Sequence, residues 1–150
     1  MNLRSISYKK RRGYVNDILD KRIIGSKNMF SVSDDGKHVF LEGKDKPYRV
    51  ILTTHSDYRV AMTTITIGDV SENKHSGFIV ADMHEKKDEV NNWNIFVLSV
   101  DDMRMYTKLY LNDASYHIVD PYTTLENSLL IKEDCNISTE SFLEALKSCI

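Results

Sequence analysis

The sequence predicts an α+β domain, with a mostly antiparallel or mixed sheet flanked by an N-terminal and a C-terminal helix. Three observations carry this reading. A stripe of apolar residues at helical spacing opens the chain, a second closes it, and a series of short β-like runs punctuated by turn residues lies between them. With 150 residues and 41% hydrophobic content the chain suits one core, so residues 1–150 read as a single domain.

The opening segment "SISYKKRRGYVNDILDKRII" places Tyr8, Val15, Ile18 and Leu19 where they can share one side of a helix. Ser5 or Ser7 is a suitable cap, and Gly25 is a natural stop. Asp17 and Lys21 stand four apart in the favourable order, whereas Gly13 weakens the first half.

From Met29 the pattern changes to "MFSVS", "HVFLEG", "YRVILTT", "YRVAMTTITIG", "GFIVADM", "NWNIFVLSV", "RMYTKLYL", "SYHIV" and "SLLIK". The "DDG" between the first two is a hairpin signal, because Asp-Gly tolerates the positive φ of tight turns. "NIFVLSV" is apolar on consecutive positions, as expected of a strand covered on both faces. "RMYTKLYL" alternates, as expected of a strand with one wet face. "NISTESFLEALKSCI" closes the chain as a short helix capped by Ser138 or Thr139, with Phe142, Leu143, Leu146 and Ile150 inward.

Charge is unevenly distributed. Residues 1–28 hold eight basic side chains against Asp17 and Asp20, a net charge of +6, so the other 122 residues carry −8 within a total of −2. Lys9, Lys10, Arg11 and Arg12 therefore form a candidate nucleic-acid-binding segment; the alternative is an ordinary solvated helix face. Tyr48, Tyr58, Trp93, Tyr106 and Tyr110 would stack on bases if they shared an exposed sheet face, although strand aromatics are more often packed.

Several classes find no support in the residues. Cys135 and Cys149 have no metal-ligand or disulfide spacing, and no GxSxG, GxxxxGK or GxGxxG occurs. The longest apolar runs are strand-sized, short of the roughly 20 residues a spanning helix needs, so no membrane partner is expected. The basic beginning has no apolar stretch behind it, which predicts an intracellular, cytoplasmic protein.

The stretch "SDDGKHVFLEGK" carries the most specific chemical pattern. Asp35, six residues, Glu42, one residue, Lys44 supplies two carboxylates for a divalent cation and a lysine to orient water or stabilise developing charge. On a strand, Glu42 and Lys44 would project from the same face. In this order of acids and lysine, the sequence resembles the PD-(D/E)XK, or restriction-endonuclease-like, nucleases across about residues 14–100. The resemblance implies metal ligation by Asp35 and Glu42, catalysis by Asp35, Glu42 and Lys44, and a divalent cofactor such as Mg2+. Asp34 stands where that family carries proline, and no glutamate lies on the first helix. A tight "DDG" turn would also put Asp35 and Glu42 at opposite ends of "HVFLE", roughly 20 Å apart at about 3.3 Å per residue.

The triplet is also common by chance. With 22 acids and 13 lysines, about two acid-x-Lys triplets are expected. The chain has four, and only Glu42-Gly43-Lys44 follows an apolar run. Asp82, His84 and Glu85 in "DMHE", and His55 with Asp57 in "THSD", are weaker metal-ligand candidates.

Two functions follow. The first is a non-catalytic interaction protein of phage or mobile-element type, on a nuclease-like scaffold or not. It would bind and block or adapt a larger host protein or nucleoprotein machine, its acidic body complementing a basic groove. The alternative is a small metal-dependent nuclease cleaving DNA or RNA. The sequence leaves open whether the chain is an enzyme.

Overall fold

Ser7 begins the fold: its side chain accepts a hydrogen bond from Lys10 N at 3.2 Å and caps α1, Tyr8–Arg22. The computed structural model describes residues 7–25, 29–53, 65–66, 74–83, 89–100, 107–109, 115–118 and 129–145. Tyr14, Val15, Ile18, Leu19 and Arg22 form the buried stripe of α1. Tyr8 is not part of it, being 59% exposed a full turn and a half before Tyr14. The helix also stops before Gly25. Ile23–Ile24 leave it as a two-residue strand, β1, and only then does Gly25 turn the chain at φ 85°.

The strands follow as β2 (Phe30–Val32), β3 (His38–Leu41), β4 (Tyr48–Thr53), β5 (Ile65–Thr66), β6 (Gly77–Asp82), β7 (Asn94–Leu98), β8 (Thr107–Leu109), β9 (Ser115–Ile118), β10 (Leu129–Ile131) and β11 (Ile137–Ser138). A helix, α2, closes the described chain at Thr139–Ala145, with the Ser138 hydroxyl accepting from Ser141 N at 3.1 Å. Among the described residues the principal sheet has six strands in the order β10-β7-β6-β4-β3-β2. Only β4 and β6 pair in parallel, the other neighbours being antiparallel. The fold is therefore α+β with a mixed, mostly antiparallel sheet between two terminal helices. β5, β9 and β8 form a separate three-stranded antiparallel sheet, and β1 pairs in parallel with β11.

Alternation decides the core. Val39 and Leu41, then Tyr48, Val50 and Leu52, then Ile79 and Ala81, then Ile95 and Val97 line one face of the sheet beneath the α1 stripe. Phe142 of α2 packs edge-on to Phe30 and Tyr48, with centroids 5.7 and 5.8 Å away, and ties the last helix to the first strands. The opposite face is buried in the centre, at Ile51, Phe78, Val80, Phe96 and Leu98. β6 and β7 are thus covered on both faces, which for β7 is what the continuous apolar run in "NIFVLSV" predicts. At the β3 end the same face opens to solvent, and Phe40 is 42% exposed. No helix among the described residues is long and apolar enough to cross a membrane.

Arg22 joins the layers. Its guanidinium, 1% exposed, donates to five main-chain carbonyls: Cys135 at 2.7 Å, Val90 at 2.6 Å, Trp93 at 2.8 Å, Ile131 at 3.4 Å and Lys132 at 2.7 Å. A cation out of water is costly, and here carbonyl dipoles replace the hydration shell. Burial lowers its pKa from the ordinary arginine value, with Cys135 and Asp134 opposing that shift.

Candidate functional site

The β2–β3 hairpin and the turn that follows it hold Asp35, Glu42 and Lys44. Its turn is built by Asp35. The Asp35 carboxylate accepts from Ser33 Oγ at 2.6 Å and Lys37 N at 2.9 Å, while Ser33 Oγ in turn accepts from His38 N at 3.0 Å. Gly36 N donates to Ser33 O at 3.0 Å with φ 72°, the left-handed position the turn requires. Burial raises the Asp35 pKa, but the bonds from Ser33 and Lys37 and the nearby His38 and Lys37 charges outweigh it, so the carboxyl titrates below its ordinary value.

Glu42 lies at the other end of β3. The strand stops at Leu41, and Glu42, Gly43 and Lys44 turn the chain: Lys44 N donates to Leu41 O at 3.0 Å, and Gly43 has φ 87°. Glu42 and Lys44 therefore do not project together from a strand. The length of β3, four residues of about 3.3 Å each, separates Asp35 from Glu42. The hairpin does not bring the two carboxylates to a common cation.

The basic segment divides. Lys9 and Lys10 are exposed on α1, Lys10 lying 5.8 Å from the Tyr14 ring centroid. Arg11 and Arg12 are half-buried against the turn: Arg12 Nη1 donates to Asp34 O at 2.5 Å, and the backbone of Arg11 and Arg12 passes directly over Gly36. Of the four cations, Arg12 thus bonds the hairpin to the helix, and Arg11 packs its backbone and Cγ against the turn.

Tyr48 and Trp93 are core residues, 2% and 0% exposed, and present no face for a base; burial raises the Tyr48 pKa. Trp93 packs edge-on to Tyr14 at 5.4 Å. Asp82 is buried at the end of β6. His55, Asp57, Tyr58, His84, Glu85, Tyr106 and Tyr110 lie outside the described residues. No cluster of three or more His, Cys, Asp or Glu side chains suited to a metal occurs among the described residues.

Two features of this region escape sequence reasoning. The first is a sheet edge. Among the described residues β2 is the last strand of the six-stranded sheet, and beside it a surface pocket of about 260 Å³ is lined by Met29, Phe30, Ser31, Phe40, Leu41 and Glu42. Glu42 N donates to Met29 O and Ser33 N to His38 O, so the alternate residues Phe30 and Val32 turn their N–H and C=O groups away from β3. The second is a histidine pair: His38, on the outer face of β3, meets His75 just before β6 with their Nε2 atoms 3.3 Å apart.

No family model matches the chain, and comparison with curated proteins and with solved structures gives no significant match. The reading of its function rests on its own residues.

Proposed function

We propose that the protein is a non-catalytic interaction protein that binds a larger protein or nucleoprotein machine by taking an extended segment of it along the β2 edge. One observation carries the reading: the outward backbone groups of Phe30 and Val32 lie beside the pocket between Met29 and Phe40. Edge strands are normally guarded by lysine, proline or a bulge. "MFSVS" has no lysine or proline, and β2 is only three residues long.

An added strand would complete those main-chain hydrogen bonds and set alternate apolar side chains against Phe40 and Met29, which are 42% and 39% exposed. Glu42 at the pocket rim favours a basic residue flanking that strand. In this reading, Arg11 and Arg12 keep the hairpin at a fixed angle to α1.

The test combines affinity purification from a host extract with hydrogen exchange on the recovered complex. A protein partner that protects residues 29–42, and whose binding falls at least tenfold with Phe40→Asp, supports the proposal. Recovery of nucleic acid alone overturns it. So does divalent-cation-dependent cleavage that disappears in Glu42→Ala and Lys44→Ala, which would establish the nuclease instead.

A further inference from the structure

We propose that His38 and His75 form a two-histidine site for a divalent transition-metal ion of the zinc or copper class. The ring centroids lie 5.3 Å apart and the Nε2 atoms only 3.3 Å apart, so the nitrogen vertices face one another across the gap. The ring planes differ by only 11°.

The spacing suits either a shared proton or a shared ion. Without metal the rings are within hydrogen-bond reach, one Nε2–H donating to the other Nε2 at 3.3 Å according to tautomer. Two imidazole nitrogens on one tetrahedral ion, each about 2.0–2.1 Å from it, are separated by about 3.3 Å, the edge of the tetrahedron. Imidazole is a preferred ligand for zinc, copper and nickel, and a pair already held at that edge has little ordering entropy left to lose.

The surroundings fix the pair. His75 is 4% exposed and packs its ring against Phe78, with centroids 5.5 Å apart. His38 is half-buried on β3 and so retains some access to solvent. Asp35, in the turn of the same hairpin, acts electrostatically on His38. Arg49 stands opposite His38 across the strands, and its guanidinium donates to the Lys37 and Val50 carbonyls. The remaining coordination positions would fall to water or to a group from another molecule, the arrangement of an open site. The ion would clamp β3 to the segment entering β6, two elements separated by β4 in the sheet.

This inference does not depend on the proposed partner. Titration of the intact chain with zinc chloride at neutral pH in a non-chelating buffer, followed by calorimetry and thermal unfolding, tests it. Saturable binding of one ion per chain with a raised Tm is expected, together with at least tenfold weaker binding after His38→Ala and after His75→Ala. Binding should also weaken as pH falls below about 6, because protons compete for imidazole. Absence of binding overturns the proposal. Equal affinity in both variants also overturns it, by placing the ion on His55, His84, His117 or the cysteines. If His75→Ala does not fold, His38→Ala decides alone, since His38 is only half-buried and can be removed with less disturbance.

Discussion

Arg22 Nη1 donates to the Trp93 carbonyl at 2.8 Å, linking the last turn of α1 to the entry of β7 across 71 positions of sequence. The same guanidinium reaches the carbonyls of Val90, Ile131, Lys132 and Cys135, so a single side chain fixes two separate segments around the end of the helix. Its planar fork of five donors suits this arrangement, whereas an ammonium has three donors at one point. Arg22→Met would leave the carbonyls dry and unpaired at about 1–3 kcal/mol for each group that cannot find water. We expect a loss of more than about 3 kcal/mol by urea unfolding, with Arg22→Lys recovering less than half of it. A loss under about 1 kcal/mol would show that water reaches those carbonyls.

Asp35 supplies a pH dependence whose sign is set by its environment. Its folded-state pKa lies below the ordinary value of 3.8, so the charged carboxylate favours the folded state. That contribution is fully present above the unfolded pKa and is lost as pH falls through the lower folded value. Asp35→Asn retains an oxygen able to accept from Ser33 and Lys37 but carries no charge. Unfolding measured from pH 7 to pH 2.5 should show the native chain more stable than the variant at neutral pH, with the gap closing below about pH 3.8. Equal stability of the two chains at neutral pH would mean that the hydrogen bonds alone hold the turn, since the amide oxygen keeps them.

Much of this architecture is legible in the chain. The α1 stripe follows from Val15, Ile18 and Leu19, the hairpin from Asp-Gly, and the doubly covered β7 from apolar residues on consecutive positions. What is hidden depends on distant partners. Ile23–Ile24 look like the last turn of a helix until Ile137–Ser138 pair with them, and no local pattern announces a strand two residues long. Arg22 reads as one more surface cation because its carbonyl partners are 68 to 113 positions away. At the candidate site, "EGK" looks strand-borne because "HVFLE" is strand-like, yet Gly43 adopts a positive φ and ends the extension. His38 and His75 lie 37 positions apart in unremarkable contexts, and only the sheet brings their rings together.

Gly13 sits in the interior of α1 on its exposed side, and a methyl group placed there meets nothing within 4 Å. Glycine in a helix interior loses more backbone entropy on folding than alanine does, a difference of about 0.5–1 kcal/mol. Gly13→Ala should raise stability by about that amount and raise Tm by a few degrees in a thermal scan. No gain would indicate that the first turns of α1 remain frayed in the folded state, so that helix propensity at position 13 has little effect.

Gly36 and Gly43 separate backbone strain from steric contact. Both adopt positive φ, 72° and 87°, so alanine at either should cost about 1–2 kcal/mol from the left-handed conformation alone. Their surroundings differ. A methyl group at Gly43 meets open space, whereas at Gly36 it would lie 2.8 Å from Arg12 N, 2.8 Å from Arg11 Cγ and 3.0 Å from the Arg11 carbonyl carbon. The Arg11 side chain can move aside, but the helix backbone cannot move without lifting the hairpin from α1. Gly36→Ala should therefore exceed Gly43→Ala by at least about 1 kcal/mol in urea unfolding, in the range of overpacking at a tight contact. It should also increase hydrogen exchange at Ser33 and Gly36, while Gly43→Ala leaves that turn protected. Equal costs for the two substitutions would mean that the turn does not rest on the helix. Arg11 and Arg12 would then be available to a partner instead of being committed to the hairpin.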